Sequence, residues 1–281
     1  MTDEQTNETL LEVDAISLSF GGVHALVDVS FDIRKGEVRS IIGPNGAGKS
    51  TLANIVSGFT PATSGGVTLD GRDIIGLPIR QRAALGLGRT FQNLEVFVGL
   101  TVEENVMMGA YQSGRSGYLS AMLGHRGVRR EERRMRDHAR SLLDDWGLGG
   151  VAHRLVEELS FGEAKLVELA RVLAMDPEVV IMDEPAAGLP PSAAKDVGAN
   201  IARLSQEGIT VLLIEHNMQL VMGVADHLVV LDHGEVIAEG VPDTVRADDR
   251  VIEAYLGRGA IKPSEQASTP RRSLVEEDHS A

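Results

Sequence analysis

Gly43-Pro44-Asn45-Gly46-Ala47-Gly48-Lys49-Ser50 is the stretch that decides how this chain folds. It matches G-x-x-x-x-G-K-[ST], with Val38–Ile42 reading as a strand before it and Ser50–Ser57 reading as a helix that stops at Gly58. In a strand–turn–helix context, glycines let consecutive backbone N–H groups turn inward around phosphate oxygens, and the helix N-terminus adds a favourable field. Lys49 supplies a mobile positive charge for the β- and γ-phosphates, and Ser50, followed by Thr51, offers a hydroxyl to Mg²⁺. The alternative, a glycine-rich turn with no ligand, leaves the placement of Lys49 and Ser50 unexplained. The residues therefore imply a nucleoside triphosphate site.

Outward from this turn, short β-rich apolar runs alternate with helical patterns. Leu11–Phe20, Ser30–Ile33, Val38–Ile42, Val179–Met182, Thr210–Ile214 and His227–Leu231 read as strands, and Asp232-His233-Gly234-Glu235 reads as a hairpin turn into Val236–Ala238. Strand–helix alternation with fully apolar strands predicts an α/β fold around a mostly parallel, buried sheet. Residues 1–10 and about 259–281 read as solvated tails. The chain of 281 residues has no cysteine, which excludes a disulfide scaffold, a thiolate metal site and a cysteine nucleophile. No run approaches the ~18 apolar residues of a membrane-spanning helix, and the acidic N-terminus lacks the features of a signal peptide, so a soluble, cytoplasmic chain is expected. A net charge of −14 argues against a general nucleic-acid binder. Residues 115–140 run against that trend, with eight Arg facing Glu131, Glu132 and Asp137, a net of +5. A solvated helix face with pairs such as Glu132–Arg136, a docking surface for a partner or lipid headgroups, and, more remotely, an RNA contact all fit this patch.

A second element of the phosphate site is expected on a neighbouring strand. Val179–Met182 ends in Asp183, a carboxylate placed to hold Mg²⁺, and Glu184 follows, placed to polarise an attacking water. A helix cap or a surface acid is the competing reading of that pair. Leu159-Ser160-Phe161-Gly162-Glu163 opens a helix expected over Ala164–Ala174 and is locally a capping box, with Ser at the N-cap and Glu three residues on.

From LSFGEAKLVELARVLAMDP to EVVIMDEPAAGL, the chain resembles the signature-to-Walker-B segment of ABC ATPases. The resemblance covers roughly residues 11–258 and implies one P-loop (RecA-like) nucleotide-binding domain with an antiparallel β subdomain and a helical subdomain over about 93–175. It implies that Ser160, Phe161, Gly162 and Glu163 contact the γ-phosphate of ATP held by the opposite subunit. Gln92, in Arg89-Thr90-Phe91-Gln92, matches the glutamine that contacts Mg²⁺ and water and senses the transmembrane partner. His216 matches the switch histidine near the γ-phosphate, where a lone strand-end histidine would otherwise be structural. Phe20 matches the aromatic that stacks on adenine, its competing reading being a core strand aromatic. Phe161 stands where the family has glycine, Glu163 where it has glutamine, and Pro190 where it has an aspartate that helps couple the two ATP sites.

The aromatic in the signature, AAGL after Glu184, RTFQ, and Val251-Ile252-Glu253-Ala254-Tyr255-Leu256-Gly257 resemble the longer ATPase subunit of branched-chain amino acid importers. Relatives serving urea or short amides, and a lipopolysaccharide-export ATPase, share parts of the pattern. A soluble, non-transport ABC ATPase is the rival from a different class. The resemblance implies ATP and Mg²⁺ as cofactors, permease subunits and an upstream solute-binding protein as partners, and a second ABC ATPase subunit, with a heterodimer favoured and a homodimer possible. It places the chain at the inner face of the cell membrane, attached through the permease.

Overall fold

The strands Val38–Ile42 (β3), Val179–Asp183 (β7) and Thr210–Ile214 (β8) are buried at every position. Burial at successive positions, including Arg39 and Ser40 of β3, requires that both faces of the sheet be covered. In the computed structural model, which describes residues 8–113 and 125–256, these strands form the middle of a six-stranded sheet. It is completed by Leu87–Thr90 (β6), His227–Asp232 (β9) and Glu235–Gly240 (β10), in the order β10-β9-β3-β8-β7-β6. All neighbours run parallel except the edge strand β10, which pairs antiparallel with β9. The β9–β10 turn is the expected two-residue type, His233 and Gly234 both taking positive φ (47° and 84°).

A separate four-stranded antiparallel sheet has the order β2-β1-β4-β5, built from Thr9–Phe20 (β1), Val23–Arg34 (β2), Ser64–Leu69 (β4) and Arg72–Asp73 (β5). The strand expected over Ser30–Ile33 thus begins seven residues earlier. Its first half is drawn in by pairing with β1 (Phe20↔Val23, Ser19↔His24) rather than by its own composition. Similarly, β1 starts inside the stretch read as a tail, because Leu10 is buried. The expected C-terminal tail, 259–281, lies outside the described residues.

Behind the phosphate turn, helix α1 (Lys49–Ser57) is closed by Gly58, whose backbone N–H donates to Asn54 and Ile55 carbonyls. Helix α2 (Ile79–Ala84) supplies buried Arg82, which donates to the carbonyls of Ile55 and Val56 at that same end. A cation there satisfies orphan carbonyls and complements the negative end of the helix. Between β6 and β7 the chain is helical: α3 (Val102–Ser113), α4 (His125–Asp145) and α5 (Phe161–Leu173). These pack around their own cluster of Val102, Val106, Ala139, Leu143, Val167 and Ala170, distinct from the cluster under the strands. Helix α5 begins at Phe161, three residues before the expected start, because Ser160 caps it. Four further helices follow: α6 (Pro191–Gln206), α7 (Met218–Val224), α8 (Pro242–Arg246) and α9 (Asp249–Leu256). The architecture is α/β, with a parallel core, an antiparallel sheet and a helical part. Of the Arg-rich stretch, Arg115, Arg126 and Arg129 have no described side chains. Arg136 and Arg140 pair with Glu103, and Arg136 also with Glu132. No helix among the described residues is long and apolar enough to cross a membrane.

Candidate functional site

The loop from β3 into α1 is forced into shape by its neighbours. A Cβ on Gly43 (φ 148°) would stand 2.0 Å from the Leu231 carbonyl oxygen, and one on Gly48 (φ 103°) 2.7–2.8 Å from Leu26 and the Ala25 carbonyl. Only glycine accepts both the backbone angle and the close approach. Lys49 is buried, and its Nζ donates to the carbonyls of Gly43 (2.8 Å) and Pro44 (2.9 Å), which holds its head at the loop. Burial pulls its ammonium below the usual lysine range, partly offset by Glu184 and Asp183.

The parallel sheet brings two more strand ends to this loop. Asp183, last residue of β7, is buried and accepts from Ser50 Oγ at 3.4 Å and from Arg89 Nη2 at 3.1 Å. Burial raises its carboxyl above the ordinary range while Arg89 opposes the shift. Glu184 leaves the strand in the left-handed region (φ 49°), its N–H donating to Ile214 O. Few non-glycine residues sit there, and the turn lifts the side chain over the loop. Gln92 Nε2 donates to Glu184 Oε2 at 2.9 Å, and His216 Nδ1 lies 3.5 Å from Glu184 Oε1. The P-loop residues Asn45 to Thr51 and the three residues Gln92, Glu184 and His216 line one cleft of about 780 Å³.

Val23, His24, Ala25 and His233 line the same cleft without having been anticipated. The first three belong to the half of β2 that composition did not reveal. His233 lies in the hairpin turn, whose Gly234 packs against Ala25 and donates its N–H to Ala47 O. Phe20 is 58% exposed, which rules out the core reading. It pairs with Val23 at the hairpin beside the cleft but is not among the cleft-lining residues. Ser160, Phe161, Gly162 and Glu163 are absent from the cleft of their own chain. There Ser160 Oγ accepts from Glu163 N, Glu163 Oε2 accepts from Ser160 N and Oγ, and these bonds hold the Glu163 carboxyl below the usual range. Phe161 is 47% exposed.

The sequence profile of ABC transporters matches residues 26–187, more than half of the chain. This chain belongs to the ABC transporter family. The profile described as "Branched-chain amino acid ATP-binding cassette transporter" matches residues 235–261 of this ABC cassette. Among curated relatives, the high-affinity branched-chain amino acid transport ATP-binding protein BraF of Pseudomonas aeruginosa is 39% identical over 88% of this chain and 98% of its own. LivG of Escherichia coli, a protein of the same description, is 38% identical over 89% of this chain and 99% of its own. A crystal structure of a nucleotide-free ATP-binding cassette from an ABC transporter superposes with a TM-score of 0.77 at 36% identity, covering 89% of this chain and all of that one. A cassette solved in its ADP conformation gives 0.77 at 35% identity, covering 90% of this chain. As an ABC ATPase, the chain binds and hydrolyses ATP.

A second depression, of about 680 Å³, flanks the first on the helical side, with Phe59, Ile79, Phe91, Phe97, Met108 and Arg171 among its lining residues. Phe59, Ile79, Phe97 and Met108 are exposed apolar side chains. A concentration of such residues in one groove marks an interaction surface.

Proposed function

We propose that this cassette is the ATP-hydrolysing subunit that drives an importer of branched-chain or hydrophobic amino acids. The observation that carries the catalytic reading is the contact of Glu184 with both Gln92 and His216 above the P-loop. The matching profile and relatives support the cargo class. Glycine amides of Gly43–Gly48 would hold the phosphates, Lys49 would balance their charge, and Phe20, at the β1–β2 hairpin, would stack on adenine from its exposed position. Glu184 would take the proton of the attacking water as it adds to the γ-phosphorus and the bond to the β–γ bridging oxygen breaks, releasing ADP and phosphate, with His216 and Gln92 orienting carboxylate and water.

Mg²⁺ fits the donors present. The hydroxyl of Ser50, one oxygen of Asp183 and the amide oxygen of Gln92 are hard ligands of the kind it takes together with substrate phosphates. When bound, the ion would supply positive charge that offsets the negative charge developing on the phosphate.

The signature residues Ser160 to Glu163, the first two exposed and none of the four lining the cleft of their own chain, support a head-to-tail dimer in which each chain completes the other's site. A shorter sister ATPase is the favoured partner, and a second copy the other arrangement. The apolar groove beside Gln92 would receive a cytoplasmic segment of the permease, attaching the ATPase to the inner face of the cell membrane, with a solute-binding protein delivering cargo from the far side. The test is Glu184→Gln in the assembled transporter. ATP binding should persist while steady-state phosphate release falls about a hundred-fold or more. Release at the wild-type rate would remove Glu184 from this role.

A further inference from the structure

Arg89 stands on β6 between the phosphate cleft and the apolar groove. Its side chain is 8% exposed. One edge of the guanidinium donates Nη2 to Asp183 Oδ2 at 3.1 Å and Nη1 to Ser57 Oγ at 2.6 Å. Aromatic rings pack around it: its centre lies 5.3 Å from the Phe59 centroid and 5.2 Å from that of Phe91, and those two rings meet edge to face at 5.4 Å. Phe59, Arg89 and Phe91 all line the groove. The other oxygen of Asp183 is the one that meets Ser50. A single rigid cation therefore touches, at its edge, the carboxylate facing the phosphate site and, through its ring contacts, the floor of the surface open to a partner. A planar fork with several donors makes both sets of contacts at once, and a lysine ammonium does not.

We propose that Arg89 is a positioning residue that fixes the orientation of Asp183 for the divalent cation and couples that orientation to whatever occupies the groove. A carboxylate buried as deeply as Asp183 keeps its charge and direction through its partners. A helix pressing on Phe59 or Phe91 shifts the rings against the guanidinium, and the guanidinium turns Asp183 relative to Ser50. The cation half of this proposal stands on the contacts alone. The coupling half rests on the reading of the groove as the permease site.

The full-length chain with Mn²⁺ and a non-hydrolysable ATP analogue tests the cation half without turnover, with free Mn²⁺ followed by electron paramagnetic resonance. Arg89→Met removes the guanidinium and keeps an unbranched stem. Positioning predicts about ten-fold weaker Mn²⁺ binding, with affinity for the analogue in EDTA unchanged. Simple charge removal predicts the opposite, because a nearby positive charge repels the cation. Unchanged or tightened Mn²⁺ binding overturns the proposal. Arg89→Lys keeps the charge without the fork and should also weaken Mn²⁺ binding; it decides alone if Arg89→Met does not fold. For the coupling half, Phe59→Leu in the assembled transporter should retain the permease while its stimulation of hydrolysis drops about three-fold. Full stimulation would overturn the coupling. Failure of Phe97→Asp to weaken permease capture would instead overturn the groove reading and leave the Mn²⁺ result standing.

Discussion

At the residue scale, Glu215 shows how one buried carboxylate holds the two loops that carry Glu184 and His216. It is 1% exposed and accepts Ala186 N–H on one oxygen (3.1 Å) and the N–H groups of His216 (3.0 Å) and Asn217 (3.1 Å) on the other. Ala186 belongs to the loop that follows Glu184, so the bonds fix both sides of the cleft relative to each other. Glu215→Ala leaves three amide donors without this acceptor, and it should lower stability in urea unfolding by about 3 kcal/mol. Phosphate release should fall with it. Glu215 was legible in principle as a charge directly continuing the apolar run Val211–Ile214. Sequence alone passes over it because the residue next to it, His216, draws the functional reading. Lys49, Asp183 and Glu184 needed no such help, since their chemistry follows from residue type and spacing.

At the element scale, helix α5 carries a local and a distant role in the same four residues. The capping box accounts for Ser160 and Glu163 with no ligand at all. Ser160→Asp separates the two roles. Aspartate also caps a helix, and its charge beside the Glu163 carboxylate that the Ser160 hydroxyl meets at 2.7 Å should lower stability by only about 0.5 kcal/mol, while a carboxylate facing a γ-phosphate should abolish hydrolysis in a phosphate-release assay. Further along α5, buried Glu168 accepts Phe91 N–H at 3.1 Å and so ties this helix to the segment preceding Gln92. Burial raises its carboxyl above the free-glutamate range. The folded chain then keeps a proton that the unfolded chain has already released. Stability therefore falls as pH rises from the unfolded value through the raised folded one, by at most about 1.4 kcal/mol per pH unit. Glu168→Gln binds no proton there, and urea midpoints measured across that window should lose this part of the slope. The start of α5 was implicit in the Ser160 capping box, whereas the start of β2 lay beyond the sequence reading because pairing with β1 sets it.

At the scale of the whole molecule, a single chain gathers Lys49, Ser50, Gln92, Asp183, Glu184 and His216 at one cleft and leaves the signature residues outside it. If each site is completed by a second chain, ATP hydrolysis per milligram of the isolated subunit should rise with protein concentration, steeply at first and then to a plateau. A steady-state assay across a dilution series checks this, and specific activity independent of concentration would count against the two-chain site. The balance of charge takes on a spatial meaning here as well. The acids that neutralise Arg136 and Arg140 include Glu103 on α3, so part of the Arg-rich stretch serves packing between helices.

The sequence by itself determined the parallel core and the phosphate turn. Strands dominated by Val, Ile and Leu demand a sheet covered on both faces, and Gly43, Gly48, Lys49 and Ser50 have a chemistry that is local to eight residues. Phe20, by contrast, could have been core or surface until the β1–β2 hairpin exposed it. Glu215, Arg89 and the cleft-lining His24 and His233 acquire meaning from neighbours far along the chain. Only the tertiary structure decided those, because what a buried charge or a strand end touches depends on which segments the sheet order brings beside it.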